Sequence, residues 1–139
     1  MIQIIAGEKG KGKTKQLLDK VNTEIKTAHG SIVYLDKNAK HMYELNNKIR
    51  LIDTSAFPIG NSDEFIGFIC GILSQDHDLE QIYLDSFLKV AKLEGKDVTS
   101  TLEQLESIGT QFNVTFIISM SLDKEELPEV FHEKVIVAL

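Results

Sequence analysis

The amino-acid sequence predicts an α/β protein of three layers, with helices on both faces of a mainly parallel β-sheet. Short apolar runs alternate along the chain with segments of helical periodicity, which is the pattern of parallel strands joined by helices. The first apolar run passes directly into a glycine-rich turn and then into a helix. The 139 residues include no repeat, linker or low-complexity segment, so residues 1–139 are expected to form a single domain.

The first half of the chain is predicted to form three strands, one long helix and one short helix. The long helix covers residues 13–28, carries its apolar residues on one stripe, and is expected to stop at Gly30. The short helix carries Met42 and Leu45. The three strands are predicted at residues 1–6, 31–36 and 49–53.

The second half is predicted to form two helices and three further strands. After a loop at residues 57–60, the helix at residues 62–74 is apolar on much of its circumference, so its Cys70 is expected in the core. A capping box of Ser100 and Glu103 is expected to begin the next helix. The strands are predicted at residues 81–85, 114–119 and 135–138.

Composition and charge exclude several classes of protein. The net charge of −6 gives no broad electrostatic footprint for nucleic acid, and basic residues cluster only around the glycine-rich turn. No apolar stretch approaches the roughly 20 residues that a membrane span needs. The single cysteine excludes an internal disulfide or a zinc ribbon, and because the sequence opens on its first predicted strand, no signal peptide is expected ahead of it. A cytoplasmic protein is therefore expected.

Residues 7–14 complete the pattern G-x-x-x-x-G-K-[ST] of a phosphate-binding loop, directly after the first strand. Glycines let successive backbone N–H groups turn inward around a phosphate, and the following helix adds its positive N-terminus. Lys13 is expected to reach the β- and γ-phosphates of a nucleotide, and the Thr14 hydroxyl to ligate Mg²⁺. The predicted nucleotide contacts are Gly7, Glu8, Lys9, Gly10, Lys11, Gly12, Lys13, Thr14 and Lys15.

A second element of a nucleotide site is predicted at Asp85, which ends an apolar strand downstream of the loop. A carboxylate in that position holds Mg²⁺, usually through water, so Thr14 and Asp85 are the predicted metal residues. The carboxyl ends of the other strands carry Gly7, Asp36, Asp53 and Ser119. Ligands of open α/β sheets bind at that edge, although helix capping also explains Asp36 and Asp53.

With these two motifs the chain resembles the RecA-like phosphate-loop nucleotidases, which include recombinases, hexameric helicases, clock-type ATPases and pilus-retraction ATPases. Residues 7–14 match the first family motif, and Ile82-Tyr83-Leu84-Asp85-Ser86 is similar to the second. The resemblance implies ATP and Mg²⁺ as ligands. It also implies a sheet in which the strand ending at Asp36 lies beside that ending at Asp85, with the 114–119 strand between Asp85 and the loop.

The chain departs from the family where hydrolysis is concerned. The family carries a catalytic glutamate just past the second strand, where this chain offers only Asp36 or Asn38 as a substitute. A polar sensor is expected at the end of the fifth strand, where only Ser119 or Ser121 could serve. The family's DNA-binding loops and terminal domains have no space in this length, so neither recombination nor pilus retraction follows.

Two functions of different classes stay open. The first is a nucleotide-dependent binding or regulatory module that hydrolyses ATP slowly and acts on a protein partner. The second is a RecA-like ATPase whose site is completed by a homo-oligomer or a partner. A GTPase is disfavoured because the Asn-Lys-x-Asp motif is missing, and a small-molecule kinase because Arg50 is the only arginine available to clamp a phosphoryl group.

Overall fold

The computed structural model describes all residues 1–139 and contains one six-stranded sheet in which every neighbouring pair of strands is parallel. The strand order is β3-β2-β4-β5-β1-β6, so β2 lies beside β4, and β5 lies between β4 and β1. The predicted fold class is confirmed, and these are the neighbours that the resemblance implies. The strands are β1 Ile2–Ala6, β2 Ser31–Asp36, β3 Arg50–Asp53, β4 Leu79–Leu84, β5 Thr115–Met120 and β6 Val135–Ala138.

Helices cover both faces of this sheet. The α-helices are α1 Lys13–Glu24, α2 Ser62–Ser74, α3 Phe87–Val90 and α4 Thr99–Phe112. Short 3₁₀ helices lie at Met42–Glu44, Thr54–Ala56, Lys124–Glu126 and Glu129–Lys134. The short helix predicted around Met42 is thus a single 3₁₀ turn, and α3 is an element that periodicity did not reveal. None of the helices has the length and apolar character needed to cross a membrane.

The two faces of the sheet are unequally covered. The larger cluster joins the sheet to α2, α3 and α4, and contains 25 buried apolar residues. The smaller cluster contains nine and is covered by α1 together with Leu45 and Ile49 of the segment before β3. Helix α1 therefore provides most of the cover on one face while its N-terminus follows the glycine-rich loop.

Helix α1 ends earlier than predicted, at Glu24, because the chain tightens there: the Lys26 N–H donates to the Thr23 carbonyl three residues back. Gly30 does not act as a left-handed helix stop. Instead it lies where a Cβ atom would be 1.9 Å from the Asp78 carbonyl oxygen, so the glycine is needed for a close approach to the chain before β4.

Two side-chain predictions are wrong. Cys70 is exposed, because α2 buries a single stripe formed by Phe65, Ile69, Ile72 and Leu73 and Cys70 lies off it. Ser100 does not cap α4, since the helix already begins at Thr99. The acceptor at that end is Asp97, whose carboxylate receives the Thr99 N–H at 2.9 Å and the Thr99 hydroxyl at 2.6 Å.

Candidate functional site

The glycine-rich loop connects the carboxyl end of β1 to α1, at the edge where all six parallel strands end. Gly10 and Gly12 adopt φ angles of 85° and 91°, in the left-handed region that other residues rarely occupy. A Cβ atom added at either position would meet nothing within 4 Å, so backbone conformation and not space requires glycine. Left-handed residues of this kind occur in the turns whose successive N–H groups bind anions.

Lys13 spans the inside of this loop. Its ammonium group donates to the Glu8 carbonyl oxygen at 2.9 Å, and the residue is only 8% exposed. Burial lowers the pKa of Lys13, and the charge of Asp85 acts in the opposite direction. A buried lysine with a carbonyl as its hydrogen-bond partner is available to an anionic ligand that enters the loop.

Asp85, directly after β4, is the centre of a hydrogen-bond network and is 2% exposed. Its Oδ1 atom accepts from the Thr14 hydroxyl at 3.2 Å, the Ser119 hydroxyl at 2.8 Å and the Ser86 N–H at 2.9 Å. Its Oδ2 atom accepts from the Tyr34 hydroxyl at 2.8 Å. The network joins α1, β2, β4 and β5 and fixes the carboxylate beside the hydroxyl of the loop.

Ser86 holds part of this network under backbone strain. Its φ of 52° is left-handed, which costs a non-glycine residue on the order of 1–3 kcal/mol. In that conformation the Ser86 N–H reaches both Asp85 and the Ser119 hydroxyl oxygen, the latter at 3.1 Å. The strained turn therefore aims a backbone donor at the carboxylate.

Tyr34 was not predicted as a site residue, although it lies two residues before the strand-end Asp36. Its ring is fully buried and stacks on Tyr83, with centroids 6.1 Å apart and planes 14° from parallel. Burial and the neighbouring Asp85 charge raise the pKa of Tyr34, so the hydroxyl keeps its proton as the donor to Asp85. The alternation of side chains along β2 places Tyr34 and Asp36 on the same face, which was the available signal.

A pocket of about 420 Å³ opens over the loop and Asp85. Four lysines and two carboxylates are among the residues that line it, and none of the four lysines belongs to an ion pair. Two of these lysines, Lys37 and Lys89, follow the ends of β2 and β4 and were not predicted. The lining consists of Lys9, Gly10, Gly12, Lys13, Thr14, Lys37, Asp85, Ser86, Leu88, Lys89, Glu94, Ser119 and Ser121.

Two of the predicted catalytic residues lie outside the lining of this pocket. Asp36 is 3% exposed and its Oδ1 accepts the Lys37 N–H at 2.7 Å. Burial, followed by the charge of Asp85, raises the pKa of Asp36 to about 6. The Asn38 side chain closes a local turn by accepting the Lys40 N–H at 2.9 Å.

The other predicted residues divide between the pocket and its surroundings. Ser119 lines the pocket, but its hydroxyl is engaged with Asp85. Lys9, Gly10, Gly12, Lys13 and Thr14 also line it, whereas Gly7, Glu8, Lys11 and Lys15 do not. Lys15 points along α1 and pairs with Asp19 at 3.3 Å.

The oxygen atoms of this site suit a hard cation. No group of three or more histidine, cysteine, aspartate or glutamate residues could hold a metal by itself. The Thr14 hydroxyl and the Asp85 carboxylate form a two-residue oxygen set, and Mg²⁺ is typically bound by one or two protein oxygens together with substrate phosphates. The residues present therefore fit Mg²⁺ that arrives with a phosphorylated ligand.

No family model matches the chain, and no curated protein is significantly similar to it.

Proposed function

We propose that the protein binds ATP with Mg²⁺ in the pocket over residues 7–14. The observation that carries this proposal is the 3.2 Å hydrogen bond between the Thr14 hydroxyl and Asp85, which lie 71 positions apart in the sequence. A glycine-rich turn alone is a common βα connection. Its meeting with a buried strand-end carboxylate, beneath a pocket lined by four lysines, is what a Mg²⁺-nucleotide site requires.

Each group in the site has a role in this proposal. The loop N–H groups and Lys13 bind the phosphates, and the N-terminus of α1 adds its dipole beneath them. Thr14 and Asp85 hold Mg²⁺, which neutralises charge on the phosphate oxygens when bound. Ser119, Tyr34 and the Ser86 N–H keep the carboxylate of Asp85 in place.

The same proposal makes the protein a nucleotide-dependent binding module with slow intrinsic hydrolysis. Asp36 and Asn38 lie outside the pocket lining, and the Ser119 hydroxyl is occupied by Asp85, so none of the three predicted catalytic residues is free to act as a general base at the phosphate site. The only arginine, Arg50, begins β3 at the opposite edge of the sheet and pairs with Asp76 at 3.0 Å. Faster hydrolysis would need groups from a partner or a second copy.

The partner-responsive part of the module is, in this proposal, the segment between β2 and β3. It begins with Lys37 at the pocket and continues to Met42 and Tyr43, which are 49% and 92% exposed. An apolar groove of about 510 Å³ lies along it. Nucleotide bound beside Lys37 would order this segment, and hydrogen exchange of residues 37–49 should slow on addition of Mg-ATP.

The single cysteine of the chain favours a cytoplasmic setting.

Calorimetric titration with Mg-ATP tests the binding proposal. Lys13→Ala should weaken the affinity roughly 10–150-fold, the usual worth of a hydrogen bond to a charged group. Lys11→Ala is the matched control, because it removes the same charge from the same loop outside the pocket lining. Unchanged affinity in a folded Lys13→Ala variant, or equal losses in both variants, would remove the phosphate-loop proposal.

A further inference from the structure

Lys37 and Lys89 form a cationic pair that lines the pocket. They reach it from different elements, Lys37 from the end of β2 and Lys89 from α3, which follows β4. Neither belongs to an ion pair. Both side chains line the same pocket, and desolvation together with the positive charge of Lys89 lowers the pKa of Lys37.

Two ammonium groups repel each other in the ligand-free protein, where Asp36 offsets part of the positive charge at Lys37, and an anion bound between them would relieve the remaining repulsion. The position of the pair indicates which part of the ligand it would meet. The loop leaves β1, while Lys89 follows β4, two strands away in the sheet, and Lys37 follows β2, one strand further. Strands are spaced about 4.8 Å apart, so the end of β4, which precedes Asp85 and Lys89, lies on the order of 10 Å from the loop. The end of β2, which precedes Lys37, lies one strand further away.

We propose that Lys37 and Lys89 bind the terminal phosphate of the nucleotide and make the pocket selective for a triphosphate over a diphosphate. This inference rests on the proposed Mg-ATP site. Thr14 and Asp85 would hold Mg²⁺, which would supply positive charge to the phosphates, and a terminal phosphate on the Asp85 side of the pocket would lie where Lys37 and Lys89 line it. In this proposal the two lysines supply, from within one chain, the positive charge that the remote Arg50 does not.

The selectivity arises because the two ligands differ only at the phosphate that the pair contacts. Both ATP and ADP use the loop and Lys13, so those contacts do not distinguish them. A lysine that meets only the third phosphate contributes to the affinity for ATP and contributes little to that for ADP. General attraction by positive charge would act on both ligands and lose strength with added salt.

The test compares Mg-ATP and Mg-ADP affinities, measured by calorimetry at fixed ionic strength, for Lys37→Met and Lys89→Met. We expect each substitution to weaken ATP by about ten-fold, as for a partly exposed charge-assisted hydrogen bond, and ADP by less than about two-fold. Lys40→Met and Lys96→Met remove the same charge outside this pocket and should leave both affinities unchanged. Thermal melting of the ligand-free variants should show no loss of stability, since the repulsion is removed.

Equal weakening of ATP and ADP in the pair variants would overturn the inference, because it would indicate general attraction. Unchanged ATP affinity in both variants would overturn it as well. Either result would leave the proposed nucleotide site standing if Lys13→Ala weakens ATP binding as expected while Lys11→Ala does not. Failure of the unaltered protein to bind either nucleotide would instead overturn the proposed function itself.

Discussion

Replacing Tyr34 by phenylalanine removes one hydroxyl group and leaves the Oδ2 atom of a buried carboxylate without its donor. Tyr34 is 0% exposed and Asp85 2% exposed, so water cannot replace the lost hydrogen bond without opening the core. A hydrogen bond to a charged group contributes about 1.5–3 kcal/mol to stability. We expect Tyr34→Phe to lower the free energy of unfolding by about that amount.

The size of the change can be measured by thermal or urea unfolding of the ligand-free protein. For a chain of this length, the usual unfolding entropy of about 2.1 cal/mol/K per residue converts the loss into a melting shift of roughly 5–10 °C. The midpoint in urea should fall without a change in slope, because the buried surface is unaltered.

Tyr83→Phe is the matched control, because Tyr83 is equally buried and stacks on Tyr34. Its hydroxyl donates to the neutral Gln81 side chain at 2.8 Å, a bond worth about 0.5–1.5 kcal/mol. If Tyr83→Phe costs as much stability as Tyr34→Phe, the hydroxyl of Tyr34 is not supporting a charged Asp85. The reasoning about the network would then be refuted.

Three further outcomes are expected. Asp85→Asn should weaken the Mg²⁺-dependent affinity for ATP by about 10–150-fold. ATP binding in the presence of a metal chelator should be nearly unchanged, since the carboxylate acts through the metal. Equal losses with and without Mg²⁺ in calorimetry would contradict this. The isolated protein should release phosphate from ATP far below about 10 s⁻¹, the median for enzymes, because no arginine reaches the site; a rate near that value from a monomeric sample would contradict the slow-hydrolysis proposal. Asp36→Asn should stabilise the protein at pH 7, by at most about 3 kcal/mol, since burial raises the pKa of Asp36 from 3.8 to about 6. The folded protein holds this proton more tightly than the unfolded chain, so the contribution of Asp36 to stability falls as the pH rises from 3.8 to about 6, and urea unfolding of the variant should lack that fall.

The strands and the two longest buried helices were predictable because their signals are local. The side chains of an apolar strand such as Ser31–Asp36 alternate between the two helical layers, so nearly all of them are buried. The helical periodicity of Ser62–Ser74 extends over several turns. The helix α3 was not predictable in this way. Its four residues are too few for a period, and it begins after the left-handed Ser86, which no propensity favours. The exposure of Cys70 was not predictable from apolar content alone, because α2 buries only one stripe of its circumference.

The meeting of the loop with Asp85 was predictable because both follow strands of a parallel sheet, whose carboxyl ends lie at one edge. The cationic pair was not predicted, since lysines at strand ends resemble ordinary surface charge until the topology brings β2 beside β4. The same holds for Tyr34, whose hydroxyl meets Asp85 only through the pairing of Tyr34 with Tyr83 in neighbouring strands. Contacts between distant segments depend on strand order, which cannot be read from a single sequence.

Helix α1 has two roles, and if the proposed nucleotide binds, they would make the lifetime of the protein depend on that ligand. Its N-terminus follows the glycine-rich loop, and its apolar stripe of Leu17, Leu18 and Val21 covers the smaller cluster. Detaching α1 exposes that cluster while the other face keeps its own helices, so this half of the molecule is the natural place for partial opening and attack by proteases. A ligand held at the N-terminus of α1 would oppose that opening. Cells depleted of the nucleotide would then degrade the protein faster than cells that are replete.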